Sequence, residues 1–283
     1  MLLRTENIQK NYKDFTLNCS LQVEEGSVTG LIGANGAGKS TLFKAILGLI
    51  QTDGGTIEIL GKNQKAQTIK DKEEIGVVLA ENTFSCVLTI KDIISIMQMM
   101  YKRFQKETFL QKCKQYQLPL DKQLKELSTG MKAKLKLLIA MSYDAKLLIL
   151  DEPTVGLDSV TRSEILDEMR EYMEHEGRAI VISSHISSDL EGLCDDFYFI
   201  QNGSIVLHEE TDVLLSDYAT LKVSKEQYDK MDKQYIMYRK KESFGYQLLT
   251  REKQYYMDNY RELVVEKGNI DDLLLLLTKG EAV

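Results

Sequence analysis

Nowhere in the 283 residues is there an unbroken apolar stretch of the ~18 residues needed to span a bilayer. The densest run, Leu273 to Leu277, is fenced by Asp271, Asp272 and Lys279 and reads as the buried face of a terminal helix. The amino terminus, MLLRTENIQKNYKDF, turns polar after three residues and lacks the apolar core of a secretory signal. A role at a membrane would need another chain to supply the membrane part. Cysteine is sparse: Cys19, Cys86, Cys113 and Cys194 form no CxxC, and no His/Cys group has zinc spacing. This argues against a disulfide framework or a zinc site, leaving ordinary buried thiols in a reducing compartment. Basic charge is in deficit, with 36 Lys and Arg against 43 Asp and Glu. A net charge of −7 argues against a general nucleic-acid binder and reads as solubility.

What is present fits an ordinary globular protein. Some 43 % of residues are hydrophobic and 28 % charged, ample for a core. The length points to one large domain plus an appendage. LLRTENIQKNY and FTLNCSLQV, within residues 1–30, alternate as short strands do, and Glu25-Gly26 is a turn signal. SVTGLI (27–32) reads as a buried strand ending at a glycine-rich loop. Helical spacing comes next, over 40–50, with Leu42, Ala45, Ile46 and Leu49 on one face. Asp53-Gly54-Gly55 reads as a hairpin-like turn before the strand TIEIL.

Further apolar strands are expected at IGVVL (75–79), LLIL (147–150) and AIVIS (179–183), with an amphipathic helix over 160–176. This alternation implies an α/β domain with a parallel sheet. The mostly helical stretch 88–145 interrupts it and reads as an inserted subdomain. Beyond residue 210 the character changes: eight of the 14 tyrosines lie in 211–283 and both prolines before it. Such aromatic content argues for a folded α+β appendage over a disordered tail.

Two motifs carry chemistry. Gly33-Ala34-Asn35-Gly36-Ala37-Gly38-Lys39-Ser40, with Thr41 next, fits the P-loop pattern GxxxxGK[ST] in full. It stands between an expected strand and an expected helix, as that pattern requires. Glycines let the backbone approach phosphates closely, and backbone N–H groups at a helix start face the anion. Lys39 is placed to reach the β- and γ-phosphates, and the Ser40 hydroxyl to reach Mg²⁺. The second motif is LLILDEP (147–153). A strand ending in two carboxylates puts both at the carboxyl edge of a parallel sheet, where ligands bind. Asp151 is placed to hold Mg²⁺ through water, and Glu152 to polarise an attacking water.

Four further elements have the order and spacing of one family. Leu127-Ser128-Thr129-Gly130-Met131 resembles the signature motif, usually LSGGQ, of ABC transporter ATP-binding domains. Val155-Gly156-Leu157-Asp158 resembles that family's D-loop, and Ser184-His185 its switch histidine. Tyr12 stands where the family places an aromatic that stacks on adenine. Ser128 and Asp158 also read as simple helix caps, His185 as a structural histidine and Tyr12 as packing. The resemblance covers residues 1 to about 210. STGMKAKL, the short segment near residue 80 and the tail are most similar to bacterial ABC-2-type exporters. That group includes bacitracin-resistance and phenol-soluble-modulin export systems.

There are departures. The family's Q-loop glutamine falls on Ala80, with Glu81 next, and Glu81 is a substitute Mg²⁺ or water contact or else a surface residue. Thr129 replaces a glycine and Met131 a glutamine.

The resemblance implies a P-loop α/β core, with an N-terminal antiparallel β portion, a helical subdomain over 88–145 and an accessory domain over 211–283. It implies an ATPase that binds ATP and Mg²⁺ at two composite sites of a head-to-tail dimer, with itself or a related ATPase. One subunit would supply Tyr12, the P-loop, Asp151, Glu152 and His185, and the other Ser128 and Gly130. The partner would be a separate transmembrane permease, holding the chain at the cytoplasmic face of the membrane, with no nucleic acid bound. Antimicrobial or amphipathic peptide is the cargo expected of that group. Two rival readings are an ATP-binding regulatory subunit with little hydrolysis, and a soluble ABC ATPase acting on ribosome or DNA.

Overall fold

A computed structural model describes residues 1–80, 84–185 and 190–283. The chain opens with strands β1 (Leu3–Asn11), β2 (Thr16–Val23) and β3 (Val28–Ile32), then helix α1 (Lys39–Ile46). Next come β4 (Gly54–Ile59), β5 (Lys62–Asn63), α2 (Ile69–Lys72) and β6 (Ile75–Val78). Helices α3 (Ile90–Met100), α4 (Lys106–Gln115) and α5 (Thr129–Met141) precede β7 (Leu147–Asp151), α6 (Ser159–Met173) and β8 (Ala179–Ser184). The hairpin β9 (Asp196–Gln201) and β10 (Ser204–Glu210) ends this part.

These ten strands form one sheet in the order β5-β4-β1-β2-β10-β9-β3-β8-β7-β6. Its centre, β9-β3-β8-β7-β6, is parallel, and β1, β2 and β4 pair antiparallel. Strands β3, β7 and β8 are buried at every position, because a central parallel strand is covered on both faces. The two-residue period divides them between two cores. Leu147 and Ile149 join Leu42, Phe43, Ala45 and Ile46 of α1 on one face. Leu148 and Leu150 join residues of α3, α5 and α6 on the other.

The remainder runs α7 (Thr211–Ser216), β11 (Ala219–Val223), α8 (Lys225–Lys230), β12 (Ile236–Glu242) and β13 (Gly245–Thr250). It ends with α9 (Lys253–Asn259), β14 (Val264–Lys267), α10 (Ile270–Lys279) and β15 (Glu281–Ala282). A second, antiparallel sheet has the order β14-β11-β13-β12-β15. One of its faces carries a core of its own, with Leu221, Val223, Tyr228, Leu248 and Tyr256. Helix α10 is the joint to the rest: Leu273, Leu276 and Leu277 belong to the same apolar cluster as α3, α5 and α6. Glu191 accepts from the Ile270 N–H at 3.0 Å, and Arg251 pairs with Glu209 at 3.1 Å.

Three expectations need correction. Leu49 is 58 % exposed and outside the apolar face. Helix α1 ends at Ile46, and Gly48, at φ +69°, turns the chain before Leu49. Gly54-Gly55 is not a turn but the start of β4, opposite an irregularity in β1. A Cβ on Gly55 would stand 2.3 Å from the Asn7 carbonyl oxygen, so only glycine lets the two strands meet there. Of the four cysteines, Cys19, Cys113 and Cys194 are buried but Cys86 is exposed.

Candidate functional site

The carboxyl ends of β3, β8 and β7 lie side by side, so the segments leaving these three strands meet at one edge. From β3 comes the glycine loop. Gly38 precedes α1 at φ +117°, a conformation open to glycine. As glycine it brings no side chain to cap the first turn, and N–H groups at a helix start are suited to receive an anion. Ser40 is exposed and Thr41 half-buried in that turn, while Lys39 is buried. The Lys39 ammonium donates to the carbonyls of Gly33 at 2.6 Å and Ala34 at 3.4 Å. The loop residues Asn35 and Gly36 are exposed above it.

From β7 come the carboxylates. Asp151, the last residue of the strand, is 2 % exposed and accepts from the Ser183 hydroxyl at 2.6 Å. Glu152 is next, at φ +52°, a left-handed conformation that costs a non-glycine residue energy and collects at functional sites. Its carboxylate lies 3.1 Å from the Lys39 Nζ and 2.7 Å from the His185 Nδ1. The second of these bonds orients the ring that emerges from β8. Lys39, Glu152 and His185 thus form one connected chain of contacts, with Asp151 beside it.

Tyr12 is exposed on the turn closed by its own N–H and the Phe15 carbonyl. Its ring stands 6.3 Å from that of Phe15. Phe15 in turn covers the loop, since a Cβ on Gly38 would be 3.0 Å from it. Tyr12 thus stands beside the glycine loop through Phe15, and the Lys10 ammonium lies over its ring, 5.7 Å from the centroid.

Ser128, Gly130 and Asp158 gather elsewhere. They line an open cleft of about 520 Å³ with Tyr116, Thr161 and Glu164, and no residue of the glycine loop is among its walls. Ser128 caps α5 by accepting from the Met131 N–H at 3.2 Å. Asp158 caps α6, accepting from the Thr161 N–H at 3.0 Å and hydroxyl at 2.8 Å. The Thr161 N–H, then its hydroxyl, holds the Asp158 carboxyl below the usual carboxylate range. Two helix starts therefore face one cleft. Glu81 lies outside the described residues. Ala80 before it is exposed.

Sequence reasoning overlooked Ser183. Its signal was a polar residue inside the otherwise aliphatic strand AIVIS.

The donor set suits a hard divalent cation. Ser40 and Asp151 offer oxygen only, as Mg²⁺ prefers. Among the described residues no group of three or more His, Cys, Asp or Glu could hold a metal. A cation here would be shared with phosphate oxygens, the habit of Mg²⁺ at nucleotide sites.

The family model described as ABC transporter matches residues 16–155. The chain is 32 % identical over 205 residues to the ABC transporter ATP-binding protein YtrB of Bacillus subtilis (strain 168), covering 72 % of this chain and 70 % of that one. It is 36 % identical over 215 residues to the lantibiotic transport ATP-binding protein SrtF of Streptococcus pyogenes, covering 75 % and 92 %. A solved structure described as the ATP binding subunit of an ABC transporter superposes with a TM-score of 0.66 at 26 % identity, over 75 % of this chain and 92 % of the other. With the P-loop core and its glycine loop in place, the chain belongs to the ABC transporter ATP-binding family and is an ATP-binding ABC ATPase.

Proposed function

We propose that this chain is the motor of an ABC exporter, working as a head-to-tail pair that drives a separate transmembrane permease. Residues 1–210 are the ATP-binding domain, with a helical subdomain over 88–145, and 211–283 an accessory domain. Tyr12 stacks on adenine. Gly33, Asn35, Gly36, Gly38 and Thr41 line the phosphate cradle, and Lys39 neutralises the β- and γ-phosphates. Ser40 and Asp151 hold Mg²⁺, which when bound neutralises phosphate charge. Glu152 positions and polarises the attacking water, and His185, oriented by Glu152, faces the γ-phosphate. The work is positioning and electrostatics.

The observation that carries this reading is the division of the motifs. Lys39, Glu152 and His185 touch one another, whereas Ser128, Gly130 and Asp158 line a cleft without glycine-loop residues. Each chain holds two complementary halves, and a second chain completes both. A small apolar groove of Phe84, Leu124, Leu135 and Ile139, rimmed by Lys125 and Lys132, is the surface offered to the permease. The chain sits at the cytoplasmic face through that partner; no described helix is long and apolar enough to cross a membrane. The likeness to a lantibiotic transport protein supports an antimicrobial or amphipathic peptide as cargo.

Complementation tests the pairing. A Lys39→Ala chain and a Ser128→Arg chain should each be inactive alone. Mixed in equal amounts, they should recover roughly a quarter of wild-type ATPase, because half the pairs carry one intact composite site of two. No recovery on mixing, with both variants folded and pairing, would contradict composite sites.

A further inference from the structure

We propose that Ser183 is a positioning residue for ATP hydrolysis, its single hydroxyl setting both acidic residues of the nucleotide site. The inference rests on the roles given above to Asp151 and Glu152.

Ser183 is fully buried in β8 and is the ladder partner of Asp151 in β7. In paired parallel strands such partners point to the same face. Here that face is the one holding Ala179, Val181, Leu147 and Ile149 against α1. The serine is thus a polar residue on an aliphatic face, aimed at the helix beyond the glycine loop. A hydroxyl has one proton to give and lone pairs to receive. Ser183 gives its proton to Asp151 Oδ1 at 2.6 Å and receives the Glu152 N–H at 3.1 Å. Both bonds together fix its rotor.

Each bond has a consequence. Asp151 is almost wholly buried, and an ionised carboxylate at that depth needs hydrogen-bond donors. Ser183 satisfies Oδ1 and sets the plane of the carboxylate, so the second oxygen is presented to a cation or its water. Glu152 sits at φ +52°. Its N–H is shared between the Ser183 carbonyl at 3.2 Å and the Ser183 hydroxyl at 3.1 Å. That fork holds the left-handed turn that sends the Glu152 carboxylate to Lys39 and His185. Pairing of β7 with β8 does not depend on the hydroxyl, because the backbone ladder from Leu147–Ala179 to Asp151–Ser183 is continuous. Function and fold are therefore separable at this position.

Ser183→Ala should fold and melt within a few degrees of wild type. Its kcat should fall about 10- to 100-fold, the usual loss when a group orienting a metal ligand is removed, and the Mg²⁺ needed for half-maximal turnover should rise. Binding gives a second readout: ATP affinity in EDTA should match wild type, while the gain in affinity on adding Mg²⁺ shrinks. Ser183→Cys, which keeps the volume and weakens the donor, should behave like Ser183→Ala. Ser183→Thr, which keeps the hydroxyl, should stay within a few-fold of wild type. Wild-type kcat and Mg²⁺ dependence in Ser183→Ala would overturn the proposal. So would a lowered melting temperature with unchanged kcat per folded molecule, or a Thr variant as impaired as the Ala variant. A wild-type chain that neither binds nor hydrolyses Mg-ATP would instead overturn the functional reading beneath it.

Discussion

Lys39 Nζ lies 3.1 Å from Glu152 Oε1, with the lysine side chain 5 % exposed and the glutamate 14 %. Both charges are shielded from water and each is the other's counter-ion, so their attraction exceeds that of an exposed pair. A triphosphate reaching Lys39 competes with that carboxylate. Neutralising the competitor should strengthen nucleotide binding. Glu152→Gln is expected to bind ATP about 5- to 10-fold more tightly in EDTA, a gain of about 1 kcal/mol or more. Fluorescence titration with a nucleotide analogue measures it, and unchanged or weaker affinity would deny the competition.

Helix α10 joins the second sheet to the main core through Leu276, which is fully buried. Leu276→Ala should cost about 2–4 kcal/mol, the transfer and cavity cost of a buried leucine. Urea unfolding checks this. A loss below about 1 kcal/mol would mean that the helix is not part of the shared core.

The cysteines differ in reach. Burial pushes the Cys19 thiol up to about 12 and the Cys113 thiol to about 11, from an ordinary 9.0. Cys86 alone of the four is exposed. A thiol reagent at neutral pH should label Cys86 quickly in the native chain and the other three only on unfolding. The linkage has a definite sign. These raised thiols hold their protons more tightly when folded, so their contribution to stability is complete below pH 9 and lost as pH rises through the folded values. Melting temperature should therefore decline as pH rises above 9. Fast labelling of all four native thiols would contradict the burial.

The glycine loop, the Asp151-Glu152 pair and the caps at Ser128 and Asp158 were legible because each is contiguous in sequence and its physics is local. What escaped was non-local. The Ser183 contact with Asp151 joins residues 32 apart, and only strand register brings them together. Gly54-Gly55 carries a strong local turn signal, but its conformation is set by Asn7 on a neighbouring strand. The helical period that placed Leu49 on the buried face did not register the stop at Gly48. The separation of the signature cleft from the glycine loop likewise depends on how α5 and α6 pack, which no single motif encodes.

Whether a pair of these chains binds ATP between them and hydrolyses it with Glu152 is decided by one measurement. Steady-state ATPase of the purified chain, wild type beside Glu152→Gln, with mass measured in ATP, tests it most directly. Mg²⁺-dependent turnover is expected in the wild type, with a fall of at least about 100-fold in the variant and an ATP-locked dimer of the variant. Undiminished turnover in Glu152→Gln, or a variant that stays monomeric in saturating ATP, would contradict it.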